Sequence, residues 1–545
     1  MNGPRLRELG VDDGSMRVSA TAHFPWRRIA FEGGIAHVAG DPASVDGLAV
    51  KLARAKNDEA RADILNSADF LFAAIVETPE CVLAACDLVR STPVYFARTA
   101  AGWVLGNDAR ALAERLASHT LDDVSLLEIE MAGYATGGSS AYADLRVLEC
   151  GAYVVLENSC EPNPRRYFRY LPGPKAQRGR GAERLGETID RVISDLIRRA
   201  GGRRVLVPIS GGIDSRLVLA KLVEHRCPAL SSFSYGTPGN TDARAGGEAA
   251  AKLGVPWQFV ASRGSAHRAF FRGEGARDFW RFADGLACVP SPQDIVPLSE
   301  LHTGGALDPP PIVVNGQTGD FLSGGHIPAA LRSGEITREA FLAIITAKHY
   351  GLWRGLATPG HLRVIEGRIE QITGTLPPRL TAADAIARHE LWEYEARQSA
   401  WVVQAQRTYE YLDLGWELPL WDPRLIRFFR DAPLEEKSGQ RLYREYVTSW
   451  NYRGLFAGFA RARSSWPGWS RPLAVIEKGA RTLGGPALQR RANATLRYFG
   501  HYRHQYAELG FREFMTVRHD MRHILGHHAR CWLAWNGFPL AGERV

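Results

Sequence analysis

Apolar and polar positions follow two successive rhythms along the chain. Up to about residue 161, short runs rich in Val, Phe, Tyr and Ile are separated by turn residues. This predicts strands at 70–76, 94–98, 102–106 and 153–157. One longer amphipathic stretch, 43–65, predicts a helix among them. The Pro-, Gly- and Arg-rich stretch 171–184 (LPGPKAQRGRGAER) then reads as a linker. After it come a one-faced helix at 185–200 and a strict alternation: strand 205–209, helix 215–224, strand 230–235, helix 242–253, strand 257–260. Residues 205–209 are continuously apolar and rich in β-branched side chains, as in a strand buried on both faces, so the alternation predicts a parallel sheet covered by helices. Beyond Asp320 the pattern is mainly helical. The division expected is 1–170, the linker 171–184, 185–450, and a basic helical extension 451–545.

Composition narrows the class without changing that picture. With 545 residues, 45% hydrophobic and 23% charged, the chain is too long for one core and has the balance of a folded soluble protein. The longest strongly apolar run stops at Glu77, which predicts no membrane crossing. The first residues show no apolar signal segment. Cys81, Cys86, Cys150, Cys160, Cys227, Cys288 and Cys531 are scattered and contain no C-x-x-C pair, which argues against a disulfide framework or a zinc site and predicts a cytoplasmic protein. The net charge of +8 comes mostly from arginine. It suits polyanions in general, but no nucleic-acid-binding signature accompanies it, so nucleic acid is not an expected partner.

The chemistry is concentrated in residues 205–215, where the buried strand ends in Ser210-Gly211-Gly212-Ile213-Asp214-Ser215 and runs straight into a helix. The glycines allow a sharp turn and a close backbone approach. Amide groups of the loop and of the helix N-terminus then face an anion. Ser210 and Ser215 offer hydroxyl donors, and Asp214 offers an oxygen ligand for a magnesium ion held on phosphates. The Gly-Lys-Ser/Thr ending of a Walker loop is absent.

Strand, Ser-Gly-Gly-x-Asp-Ser loop and helix together resemble the pyrophosphate loop (PP-loop) of the N-type ATP pyrophosphatases. Several further segments resemble the asparagine synthetase family. Residues 232–236 (Ser-Phe-Ser-Tyr-Gly) with Asp242 are similar to the family's second strand and helix, which places Ser232 and Phe233 beside the adenosine. Residues 315–325 (NGQTGDFLSGG) are similar to the second Gly-rich loop. The resemblance makes Asp320 a magnesium ligand opposite Asp214 and adds Gly316 to the nucleotide-binding set. Segments 417–425 and 433–445 are similar to the family's Pro-Phe-Leu-Asp region and to its catalytic-lysine segment. The family's lysine falls near Gln440 or Arg441 here, which leaves Lys437 and Arg441 as candidates for the catalytic cation.

The first part is similar to an N-terminal-nucleophile (Ntn-hydrolase-like) glutaminase domain of αββα layering, carried by Asp69-Phe70-Leu71-Phe72-Ala73, by 86–97 and by 107–112. Active members carry cysteine after the initiator Met, where its free amine activates the thiol; Asn2 stands here, which implies a domain without glutaminase activity. At the other site Gln317 occupies the place of a carboxylate that acts on the acceptor, and Phe321 replaces another acidic residue, so free aspartate is not the expected substrate. The resemblance implies an α/β protein that binds ATP and Mg²⁺ and is an AMP-forming amide ligase. Residues 319–328 lean towards relatives of surface-polysaccharide biosynthesis, with a uronic-acid sugar or similar carboxylate as substrate. Ammonia or an amine would be the nitrogen donor, a separate glutaminase a candidate source, and a homodimer the candidate assembly. An intramolecular cyclase of the β-lactam synthetase or lasso-peptide type, and a non-catalytic binding protein, are the alternatives. In the tail, Arg490, Arg491, Arg497, Arg503, Arg512, Arg518 and Arg522 with Tyr498, Tyr502, Tyr506, Phe511 and Phe514 read as amphipathic helices packed on the core. His519, His523 and His527 are spaced to share one helix face.

Overall fold

A computed structural model describes residues 17–21, 23–156, 161–171, 181–236, 238–332, 334–457 and 509–541, with isolated positions between 479 and 498. The first part contains β1 (Val18–Ser19), β2 (Arg27–Phe31), β3 (Gly34–Gly40), helices α1 (Pro42–Arg54) and α2 (Asp58–Asn66), β4 (Phe72–Glu77), β5 (Val82–Cys86), β6 (Tyr95–Thr99), β7 (Gly102–Gly106), helices α3 (Ala109–Ala113) and α4 (Asp123–Ala132), β8 (Leu145–Val147), β9 (Ala152–Leu156) and β10 (Arg165–Arg166). The expected single helix at 43–65 is two. The first ends at Arg54, where Ala55 turns extended, and Asn57 accepts from Ala60 N to cap the second, a local hydrogen bond that apolar spacing alone does not reveal.

These strands form two sheets, β10-β9-β5-β4-β3-β2 and β1-β7-β6-β8. Inward side chains such as Ile75, Ala84, Val154, Phe96 and Leu105 make one dry core between the sheets. On the outer face of the larger sheet, Val38, Phe72, Ala74 and Leu83 pack against Val45, Leu48 and Leu52 of α1. On the outer face of the smaller, Ala97, Val104 and Leu145 pack against α3 and α4. Strand periodicity of two makes both layers possible, because alternate residues serve opposite faces.

The second part begins with α5 (Gly181–Ala200), four residues earlier than the spacing predicts. It continues with β11 (Val205–Pro208), α6 (Ile213–Glu224), β12 (Leu230–Gly236), α7 (Thr241–Leu253), β13 (Trp257–Ala261) and β14 (Ile312–Val314). A small two-stranded antiparallel sheet, β15 (Glu335–Thr337) with β16 (Arg379–Thr381), precedes β17 (Gly415–Glu417). The sheet is wholly parallel, in the order β13-β12-β11-β14-β17. β11 shows why the apolar run had to be continuous: Val205 and Val207 face one core and Leu206 the other. The chain leaves β11 toward β12 on one side and returns later to β14 on the other. A crevice at the carboxyl ends of β11 and β14 therefore lies at the topological switch point, where ligands bind in open α/β sheets.

The cores do not stop at residue 170. Leu88, Val89, Cys150, Phe168 and Tyr170 join the cluster built on α5, β11 and α6, and Tyr394 donates its hydroxyl to Leu88 O at 2.7 Å. In the C-terminal part, the helix Ile524–Trp535 packs on α4. Arg530 pairs with Glu130 at 2.9 Å and Trp532 Nε1 donates to Asp284. His519, His523 and His527 do not share a helix face: His519 precedes the helix, His523 caps its N-terminus with Nδ1 accepting from Leu525 N, and only His527 lies within it. Arg490, Arg491, Arg497, Arg503, Tyr502, Tyr506, Asn2 and Cys160 lie outside the described residues, whereas the other six cysteines are free thiols. No helix among the described residues is long and apolar enough to cross a membrane.

Candidate active site

The loop after β11 holds its own shape. Ser210 N donates to Ser215 Oγ at 3.1 Å, the two serine hydroxyls lie 3.2 Å apart, and Gly212 N donates to Ser210 Oγ at 3.2 Å. Gly212 is the N-cap of α6 and has no side chain to shield the first-turn amides, so they face the crevice. Gly211 passes so close to α7 that a Cβ there would lie 3.0 Å from Asp242 Oδ1. Arg216, unremarked in the sequence, bends back over the loop and donates to Gly211 O at 2.9 Å and Gly212 O at 3.0 Å. It occupies the two loop carbonyls and lies over the Phe456 ring.

The second loop, after β14, packs directly onto the first. A Cβ on Gly316 would lie 2.8 Å from Ser215 Cα, and one on Gly319 would lie 2.6 Å from Asp214 Oδ1. Thr318 between them is buried with a φ of +87°, a left-handed conformation that a β-branched residue rarely adopts. That turn delivers Asp320, whose own N–H donates to Asp214 Oδ2 at 3.0 Å. Two carboxylates from separate loops thus meet at the switch point.

Their electrostatics are opposed. Burial, and then the charge of Asp320, push the Asp214 carboxyl above its ordinary range. Burial acts the same way on Asp320, but the hydrogen bond and charge of His326, with the Phe321 N–H, outweigh it and hold Asp320 low. His326 bridges: Nε2 is 3.0 Å from Asp320 Oδ2 and Nδ1 is 2.5 Å from Glu393 Oε1. Burial opposes its protonation, yet the hydrogen bonds to Asp320 and Glu393 raise it to about 9. Tyr443 donates to Asp214 Oδ1 at 2.8 Å. A carboxylate pair that repels itself, beside a hydroxyl and amide cradle, has the hard oxygen donors Mg²⁺ prefers, so these residues fit the ion that the resemblance implies.

Of the residues singled out in the sequence, Ser210, Gly211, Gly212, Asp214, Ser215, Gly316 and Asp320 come together here. Gln317 adjoins them: its N–H donates to Asn315 Oδ1 at 2.9 Å, while its Nε2 is buried without a partner. Ser232 and Phe233 lie on the neighbouring β12 but withhold their side chains. Ser232 Oγ donates to Pro256 O, and the Phe233 ring is in the core. Lys437 is held among core groups. It is 2% exposed, its Nζ pairs with Glu390 at 2.6 Å, and it lies over the Tyr170 ring, so it is tied into the core. Arg441 is exposed and donates to Glu435 O. Gln440, left-handed at φ +63°, also touches the second loop, donating to Ser323 Oγ at 2.9 Å.

The imidazolium of His326 is the cation bonded to Asp320, and Arg216 is bonded to the carbonyls of the first loop. His326 stands right after the Gly324-Gly325 turn and Arg216 right after Ser215. Neither neighbourhood predicts the partner on the other side. Tyr443 lies in the segment read for a cation and contributes a phenol instead.

Neither a family model nor a curated protein sequence matches the chain. Among solved structures, it is similar to glutamine phosphoribosylpyrophosphate (PRPP) amidotransferase from B. subtilis complexed with ADP and GMP. Identity is 9% over 42% of this chain and 47% of that one, with a TM-score of 0.18. It is likewise similar to an allosteric regulatory enzyme of purine biosynthesis, with 10% identity over 45% of this chain and 58% of that one, and a TM-score of 0.18. The chain matches about half the length of each structure. At these TM-scores the likeness carries no argument about fold or function.

Proposed function

We propose that the chain is an ATP-dependent, AMP-forming amide ligase of asparagine-synthetase type, acting on a sugar acid or similar carboxylate. The observation that carries this reading is the junction of Asp214 with the Asp320 loop, beside the serine cradle at the switch point. Backbone amides of 210–213 and the hydroxyls of Ser210 and Ser215 would bind the β- and γ-phosphates, with the α6 dipole favouring their charge. Asp214 and Asp320 would hold Mg²⁺, which supplies charge neutralisation on the phosphates. His326 positions Asp320 and keeps it ionised. With the pyrophosphate gripped, a substrate carboxylate oxygen attacks the α-phosphorus. The bond to the bridging oxygen breaks, and pyrophosphate leaves with the electron pair. A nitrogen nucleophile then attacks the acyl carbon of the acyl-AMP, its C–O bond breaks, and AMP departs as the nitrogen loses a proton. The protein contributes orientation and fixed charge to both steps.

The exposed position of Asp320 and the neutral Gln317 in place of an acidic group support a carboxylate other than free aspartate. Pyrophosphate–ATP exchange tests the reading. Label returning to ATP with a uronic acid, and lost in Asp214→Asn, is the expected result. Exchange driven by a peptide or amino acid alone would favour a cyclase instead, and no exchange with any carboxylate would defeat the ligase.

A further inference from the structure

Behind the His326 bridge lies a second cluster, whose two histidines the ligase chemistry does not use. His349 ends the helix Arg338–His349. His389 lies in the helix Ala382–Trp392, and Glu393 opens the π-helical stretch Glu393–Val402 that continues it. Spacing of four residues puts His389 and Glu393 on one face, and His349 approaches from the neighbouring helix. One ligand atom from each lies within 4.8 Å of the others. All three side chains are buried: Glu393 is 0%, His389 1% and His349 8% exposed.

These imidazoles are not satisfied by protein groups. His389 Nδ1 and Nε2 and His349 Nε2 are buried without a hydrogen-bond partner, and His389 Nε2 points at Glu393 Oε2 from 3.9 Å. A buried ring nitrogen with nothing to bond is costly, and three in one place are unusual. We propose that His349, His389 and Glu393 form a site for one divalent transition-metal ion, of the two-histidine, one-carboxylate type. Neutral imidazole nitrogens and one carboxylate oxygen suit Zn²⁺ or Co²⁺ and not Mg²⁺. Ligand atoms bound at ~2.0–2.1 Å stand about 3.3 Å apart, so the side chains close in by about an ångström on binding. A short carboxylate–histidine contact orients a ligand from behind, and His326 Nδ1 on Glu393 Oε1 does so here.

Other charged groups face Glu393 and set the competition. Lys348 Nζ is 3.3 Å from Oε2, and Arg397 is 3.5 Å from Oε1. Lys348 is 40% exposed, so its flexible end can swing into water when the metal takes Oε2. Arg397 and His326 stay on the other oxygen. The second His/carboxylate group, Asp190, Glu224 and His225, differs because Lys221 Nζ already fills it at 2.7 Å from both Asp190 and Glu224.

The test is Co²⁺ titration of the chelator-stripped full chain, read by visible ligand-field absorption and by bound metal after gel filtration. One Co²⁺ per chain is expected, displaced by Zn²⁺. The bands should be lost in His389→Gln and His349→Gln and kept in Asp214→Asn and in His225→Gln. Lys348→Met removes a competing cation from a partly exposed position without touching the core, and should tighten Co²⁺ at least threefold. Absence of saturable binding, survival of the bands in both histidine variants, their loss in Asp214→Asn or His225→Gln, or unchanged affinity in Lys348→Met would each overturn the site.

Discussion

Tyr443 donates its phenolic hydroxyl to Asp214 Oδ1 at 2.8 Å across a sequence separation of 229 residues. The Tyr443 ring is fully buried, so the hydroxyl has little freedom and holds Asp214 in one rotamer. The same oxygen lies 2.6 Å from where a Cβ on Gly319 would stand. Three segments thus confine one carboxylate.

Tyr443→Phe removes the donor and keeps the ring. Its stability cost should be about 1 kcal/mol, that of an ordinary hydrogen bond. The Michaelis constant for Mg-ATP in pyrophosphate exchange should rise roughly tenfold, equivalent to about 1.4 kcal/mol. Unchanged exchange with lost stability would make Tyr443 a core residue and no more.

Asp214→Asn should abolish exchange and yet stabilise the ligand-free protein at pH 8. The Asp214 carboxyl is raised in the folded state, so its ionisation at high pH works against folding. The neutral amide escapes that cost, on the order of 1 kcal/mol or more, and the gain should vanish as pH falls toward 4. Denaturant unfolding of both proteins at the two pH values measures it.

His326 has the opposite dependence. Its folded pKa of about 9 lies above the ordinary 6.5, so its contribution is full below about 6.5 and is lost as pH rises through about 9. His326→Gln should be less stable than the parent at pH 6 by up to about 3 kcal/mol. The two should converge near pH 10. A gap that does not narrow would remove the imidazolium from the account.

Gly319→Ala should reduce exchange at least a hundredfold with a stability loss of about 1–3 kcal/mol, because the new methyl meets Asp214 and the Tyr443 hydroxyl. Exchange within a few-fold of the parent would mean that the second loop tolerates displacement.

Lys437→Met should destabilise by about 3–5 kcal/mol, because Glu390 would be left buried without its partner. Lys437→Met combined with Glu390→Leu should recover most of that loss. Recovery of stability together with exchange would confirm that the lysine is structural.

The sequence by itself determined the strand–loop–helix unit at 205–224. A continuous apolar run at 205–209 demands a strand buried on both faces, and Gly211 after it lets the loop pass close to α7. Local rules also placed β12, α7 and β13 to within a residue or two, because backbone propensity and periodicity act over neighbouring positions. Residues 55–57 show where they failed, since an extended Ala55 and the Asn57 cap that starts a second helix interrupt a stretch that periodicity made continuous. Tertiary structure alone decided that Lys437 is buried on Glu390, that Tyr443 holds Asp214, and that His326 joins Asp320 to Glu393. Those pairings depend on where distant helices stop and which way a side chain turns. Burial then fixes charge states that no spacing along a chain encodes.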